Sequence, residues 1–207
     1  RSSYDEHLHD PFLFRNMRKA VDRVSAAMAK NERIALYGDY DVDGVSALAI
    51  LFVTFRAFGY ANVSVTIPDR YREGYGLNME AMKKMIDAGT RVLITCDCGT
   101  SNVNEIAAAN QAGLDVIVVD HHKAPPVLPD AFAFLNPALP DEPYPFPKLC
   151  SGGIAFKFAT AILKTLHYGA ERRETPLPTG WEKWLLDLAA LATVADMMPL
   201  IDENRVL

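Results

Sequence analysis

The chain has 207 residues, half of them hydrophobic, and a formal net charge of −5 at pH 7. That is enough for one large or one-and-a-half globular domains with a real core, and the ordinary charged fraction argues against a disordered tail. The negative balance argues against a general clamp on nucleic acid, apolar runs such as Ala47–Val53 are too short to cross a bilayer, and no signal peptide opens the chain, so a cytoplasmic setting without membrane contact is expected.

In chain order, residues 15–30 carry helical spacing, with Met17, Val21, Val24 and Met28 recurring at three or four residues. A short apolar strand is predicted over 33–37, a long apolar helix over 45–58 and an alternating strand over 63–67. The loop "PDRYREGYG" follows. A helix over 79–87 stops at Gly89, a strand spans 92–95, a helix over 104–112 stops at Gly113, and a β-branched strand spans 116–119. Residues 124–148 hold eight of the 13 prolines and read as a long irregular connection. Two helices close the chain, over 153–167 and 181–192. Strands that are continuous apolar runs, alternating with helices, predict an α/β fold with a parallel sheet covered on both faces. The last two helices lack an intervening strand and read as the start of a helical cap or as a connector to a further domain. With no initial Met and an abrupt end at "DENRVL", the sequence reads as a piece of a longer protein.

The three cysteines are Cys96, Cys98 and Cys150, an odd count that favours reduced thiols. Residues two apart on a strand share a face, so Cys96-Asp97-Cys98 has the spacing of a metal pair. Small apolar filler beside an important aspartate is the preferred reading.

The carboxylates raise the functional question. Asp39, Asp41 and Asp43 alternate just after the first strand, where three like charges repel one another. In open parallel sheets ligands gather at the carboxyl ends of strands. Asp97 follows "VLIT", Asp120, His121 and His122 follow "DVIVV", and Asp196 follows "LAALATVA", so four distant segments send oxygen and imidazole ligands to one edge. Asp39 or Asp43 could instead cap the following helix, Asp97 could form a turn before Gly99, and Asp196 could cap a turn before Pro199. Taken together, the set suits two-metal phosphoryl transfer, in which cations offset the repulsion. The Asp/His mixture fits Mn²⁺ better than Mg²⁺, which stays possible. A negative net charge does not exclude a nuclease core, because such a cluster itself contributes negative charge.

"GDYDVDG", "DCGTSN", "DHH" and "VADMMPL", in this order, resemble the four motifs of the DHH phosphoesterase superfamily. Within it, "LHDPFLFRNM", "IPDRYREGYGLN", "LNPALPDEPYPFPKLCSGGIAFKFA" and "PLIDENRVL" are similar to the RecJ-type single-strand-specific 5′→3′ exonucleases of DNA repair and recombination. The resemblance covers essentially the whole chain. It implies a five-stranded parallel sheet with helices on both faces and a two-ion manganese site. The implied metal ligands are Asp39, Asp41, Asp43, Asp97, His121 and Asp196, with Asp97 as bridge, and His122 faces the scissile phosphate. Asp97 and His122 are thus the implied catalytic pair, and Asp120 orients an imidazole or the turn. It divides the chain into an N-terminal segment and helix (1–30) and a catalytic domain (31–207), with the family's substrate-binding and oligonucleotide-binding domains absent. Single-stranded DNA is the implied substrate, and a single-strand-binding protein and a helicase are the implied partners. "CSGG" stands where relatives carry "AGVG"-like variants.

Arg70 and Arg72 could guide phosphates, with a solvated surface loop an equal reading for Arg72, and Tyr71 and Tyr75 could offer a stacking face for a base, although packing within a buried loop is the preferred reading. Three other readings compete: another phosphoesterase of the superfamily (oligoribonuclease, pyrophosphatase or polyphosphatase), an aspartyl-phosphate phosphatase suggested by "DVDG", and a non-catalytic replication scaffold. The first usually carries a histidine where this chain has "LYGDYD", the second leaves "DHH" unexplained, and the third would have lost its ligands.

Overall fold

A computed structural model describes residues 3–72, 76–169 and 176–207. Its strands are β1 (Arg33–Gly38), β2 (Val63–Thr66), β3 (Thr90–Cys96), β4 (Asp115–Val119) and β5 (Ala133–Leu135). They form one sheet in the order β2-β1-β3-β4-β5, every neighbouring pair parallel. β5 lies inside the proline-rich stretch read as irregular. Three residues are too few for a periodic signal, and Pro129 and Pro137 lie outside them, so no ladder donor is lost.

Among the described residues, seven α-helices accompany the sheet: α1 (Tyr4–His7), α2 (Met17–Ala29), α3 (Val42–Ala57), α4 (Met79–Asp87), α5 (Val103–Gln111), α6 (Ser151–Thr165) and α7 (Leu186–Ala195). One core joins the sheet to α2, α3, α6 and α7, and a smaller one joins its other face to α4 and α5. The predicted elements recur with shifted ends. α3 starts three residues early because Asp41, not Asp39 or Asp43, is its cap and accepts from Gly44 N at 2.9 Å. The last predicted helix is a 3-10 turn at Trp181–Leu185 followed by α7, which runs on to Ala195. Among the described residues, no helix is long and apolar enough to cross a membrane.

Residues Ser151–Leu163 of α6 are all buried, as suits a helix that is apolar all round. The exception in character is Lys157. Its Nζ donates to Glu203 and, at 2.8 Å, to the carbonyl of His9. Glu203 also accepts from His9 N at 2.8 Å and from the Tyr144 hydroxyl at 2.5 Å. This buried cluster ties the N-terminal segment, α6 and the last turn together.

Strand register positions the functional edge. Gly38 pairs with Cys96, Cys96 with Val119, and Val119 with Leu135. The next residue of each strand, Asp39, Asp97, Asp120 and Asn136, therefore stands in one row. Three ladder-like hydrogen bonds continue across it: Asp39 N to Cys96 O, Asp97 N to Val119 O and Asp120 N to Leu135 O, at 2.9–3.2 Å. The chain reverses direction across the sheet between β1 and β3, which is where a parallel sheet opens its binding crevice.

Candidate metal centre

Each acidic residue is delivered by a different local device. Asp39 ends the β1 run, Asp41 caps α3, and Asp43 lies in the first turn of α3. Gly44 lets that turn fold back over β1, since a Cβ there would lie 2.7 Å from the Asp39 carbonyl oxygen. Asp97 leaves β3 at φ 61°, a left-handed conformation unusual for a residue with a side chain. This break in strand geometry overturns the shared-face expectation for Cys96 and Cys98. Cys96 lies in the larger core and Cys98 in the smaller one, on opposite faces of the sheet. Both are buried and free, as is Cys150. Burial pushes the Cys96 and Cys98 thiols well up, so they stay protonated. Asp196 is the residue at the C-terminal end of α7.

The side chains converge on His121. Its Nε2 lies 3.4 Å from Asp97 Oδ1, 3.6 Å from Asp196 Oδ2 and 3.7 Å from Asp43 Oδ2. Among the described residues, ligand atoms gather into three overlapping groups, each within 4.8 Å: Asp43, His121 and Asp196; Asp39, Asp41 and Asp97; and Asp97, His121 and His122. Asp97 belongs to two of them. The donor set, carboxylate oxygens with imidazole, is that of a hard-to-borderline divalent cation. Asp39 Oδ1 is a buried carboxylate oxygen with no hydrogen-bond partner in the protein, as expected of an atom that meets a cation. These residues fit a pair of divalent ions.

Burial, with like charge from neighbouring aspartates, pushes Asp97 up to about 7 despite its contact with His121, and burial likewise raises Asp39 and Asp196. Burial opposes the imidazolium of His121, but Asp97, Asp43 and Asp196 outweigh it and raise its pKa. His122 is pushed up to about 9, chiefly by its hydrogen bond to Asp120.

Asp120 stands outside the three ligand groups, and both of its oxygens accept hydrogen bonds within the protein. Oδ1 accepts from His121 N at 2.8 Å, His122 N at 3.2 Å and His122 Nδ1 at 2.7 Å, and Oδ2 accepts from Thr100 N at 3.0 Å. Burial opposes its charge, yet these donors lower its pKa.

Four contributors escaped the sequence reading. Thr100 and Asn136 brace the histidine turn, with Asn136 Nδ2 donating to His122 O at 2.9 Å and to Thr100 Oγ1 at 3.1 Å. Ser151 and Gly152, at the start of α6, donate backbone N–H to the two oxygens of Asp43 at 2.8 and 2.7 Å. The available signals were small ones: Asn136 follows an apolar triplet, and "CSGG" opens an apolar run.

The loop arginines separate. The Arg70 guanidinium lies over the ring of Tyr40, 5.3 Å from its centroid, and its charge works to lower the Asp39 pKa. Arg72 is exposed, 4.0 Å from Asp69. Tyr71 is 95% exposed, which overturns the expectation that it packs within a buried loop. Tyr75 lies outside the described residues.

The profile of the DHH family, N-terminal domain, matches residues 33–193. The chain is 40% identical over 203 residues to the single-stranded-DNA-specific exonuclease RecJ of Bacillus subtilis (strain 168), covering 98% of this chain and 24% of that protein. A crystal structure of exonuclease RecJ bound to manganese matches with a TM-score of 0.80 at 33% identity, covering 93% of this chain and 46% of that one. RecJ from Thermus thermophilus in complex with Mn²⁺ matches with a TM-score of 0.74 at 30% identity, covering 93% of this chain and 26% of that one. The chain spans 24% to 35% of the length of the curated relatives it matches.

Proposed function

The chain belongs to the DHH family, and from that premise we propose that it is the metal-dependent nuclease portion of a RecJ-type exonuclease, which hydrolyses single-stranded DNA from the 5′ end to 5′-mononucleotides. The observation that carries this reading is Asp97, a buried carboxylate common to two ligand groups at the carboxyl edge of the sheet.

A pair of divalent ions bound here, Mn²⁺ or Mg²⁺, supplies Lewis-acid polarisation of the phosphate and neutralises its charge. Asp43, His121 and Asp196 would hold one ion and Asp39, Asp41 and Asp97 the other, with Asp97 serving both. The Asp120 carboxylate raises the His122 pKa and so favours its protonated form. His122 donates Nδ1–H to Asp120, and its Nε2–H would meet a phosphate oxygen and stabilise the charge that develops there. Asp120 fixes the ring's orientation through that bond. Arg70, held over Tyr40 beside Asp39, would guide the phosphates of the incoming strand. In this reading residues 1–30 are an N-terminal segment and helix that precede a catalytic domain of 31–207. A cytoplasmic role in repair and recombination, beside a single-strand-binding protein and a helicase, completes the reading.

The test is an assay of the longer protein on 5′-labelled single- and double-stranded DNA with Mn²⁺. Release of 5′-mononucleotides from single strands alone is expected. A preference for duplex, for RNA or for pyrophosphate overturns the proposal.

A further inference from the structure

Ser151, the first residue of α6, grips two carboxylates from different ligand groups. Its hydroxyl donates to Asp97 Oδ1 at 2.9 Å, and its backbone N–H donates to Asp43 Oδ2 at 2.8 Å. The residue is fully buried. Its backbone is fixed on both sides. Cys150 caps α6 through a contact from Gly153 N to its Sγ at 3.4 Å. Gly152 donates to Asp43 Oδ1 and lies so close to α7 that a Cβ would meet the Ala192 Cβ at 2.4 Å. The hydroxyl therefore projects from a point that cannot drift. Asp97 needs such a hold. It leaves its strand in a left-handed conformation, and two ligand groups depend on where its carboxylate points.

We propose that Ser151 is a positioning residue for the shared carboxylate: its hydroxyl fixes Asp97 in the orientation that serves both ligand groups. The inference rests on the metal reading above. The backbone N–H that holds Asp43 survives any substitution of the side chain except proline, so removing the hydroxyl acts on Asp97 and leaves Asp43 held. Partners that orient a metal ligand change affinity by about 10- to 100-fold when lost.

The experiment is calorimetric titration of the protein with Mn²⁺, paired with low-temperature electron paramagnetic resonance for the signal of two coupled ions. The variants are Ser151→Ala, Asp97→Ala and the double mutant. The wild type is expected to bind two ions. Ser151→Ala should weaken by about 10- to 100-fold the step that fills the group of Asp39, Asp41 and Asp97, weaken the step at Asp43, His121 and Asp196 by less, and lose the coupled signal at Mn²⁺ levels that saturate the wild type. In the Asp97→Ala background, Ser151→Ala should have no further effect on the remaining ion, whereas a general loosening of α6 would weaken it again. Circular dichroism of each metal-free variant checks the fold, and Ser151→Gly replaces Ser151→Ala if that variant does not fold. Two ions bound at wild-type affinity by the folded variant overturn the inference, as does an equal loss in both backgrounds. Failure of the wild type to bind two ions overturns the metal reading itself, and the inference falls with it.

Discussion

Lys157 and Glu203 are as deeply buried as Asp43 and Asp97, yet the two sets of charge keep opposite company. Around Lys157 the charges cancel: one ammonium meets one carboxylate, and His9 and the Tyr144 hydroxyl complete the hydrogen bonds. At the carboxyl edge of the sheet they do not. Asp43, Asp97 and Asp196 surround His121, Asp39 and Asp41 gather beside Asp97, and the Asp39 Oδ1 atom finds no donor. A charge buried for the sake of the fold is neutralised from within, because an unpaired buried charge is costly. A cluster that stays anionic in the protein is completed from outside, here by cations. Helix N-termini make the interim tolerable, since the starts of α3 and α6 both present N–H groups to the cluster.

The largest effect that separates the two sets is on catalysis. Asp97→Ala in the longer protein is expected to lower cleavage by more than the roughly 100-fold typical of losing only a ligand's hydrogen-bond partner, with the circular dichroism spectrum unchanged. Activity within a few-fold of wild type would remove Asp97 from its shared role. Stability should respond in the opposite sense. Lys157→Met leaves Glu203 buried with no cation and should destabilise the fold by about 3–5 kcal/mol in urea titrations. Asp97→Asn, which removes a like charge from the metal-free cluster, should be neutral or stabilising in the same experiment. Equal losses in the two variants would erase the distinction.

A smaller effect sharpens it through pH. The pKa values of Asp97, Asp39, Asp196 and His121 are all raised in the folded state. A raised pKa contributes stability that is complete below the unfolded value and lost as pH rises through the folded one. For Asp97 that window runs from about 4 to about 7. In EDTA the melting temperature is expected to fall between about pH 4 and about pH 7. Asp97→Asn should flatten this slope, and an equally steep slope in the variant would assign the titration elsewhere.

How much of this was legible in the sequence depended on the range of the interaction. The alternation of Asp39, Asp41 and Asp43 after an apolar run, and the Asp-His-His triplet after another, are local patterns and marked the edge directly. Which aspartate caps α3 was not readable, because Asp39, Asp41 and Asp43 all precede or open the same helix, and only the Asp41-to-Gly44 geometry decides. β5 was hidden among prolines, and with it Asn136, whose place follows from strand register rather than from its neighbours. Ser151 and Gly152 matter because α6 docks end-on against Asp43, 108 residues away in the chain for Ser151, and no local pattern reports that. The Cys96–Cys98 spacing does not put the two thiols on one face, because period-two alternation holds only within a strand and the strand ends at Cys96, and the preferred reading of small apolar filler holds.

The central claim is that the anionic edge is a site for divalent cations, and thermal unfolding of the metal-free protein at pH 8, with EDTA or with Mn²⁺ added, tests it most directly. A native-state ligand at 100 times its dissociation constant stabilises by about 2.7 kcal/mol, or roughly 5–10 °C for a chain of this size. The melting temperature is expected to rise by at least that much with Mn²⁺ and to rise far less in Asp97→Ala. A wild-type melting temperature that does not move at saturating Mn²⁺ would contradict the account.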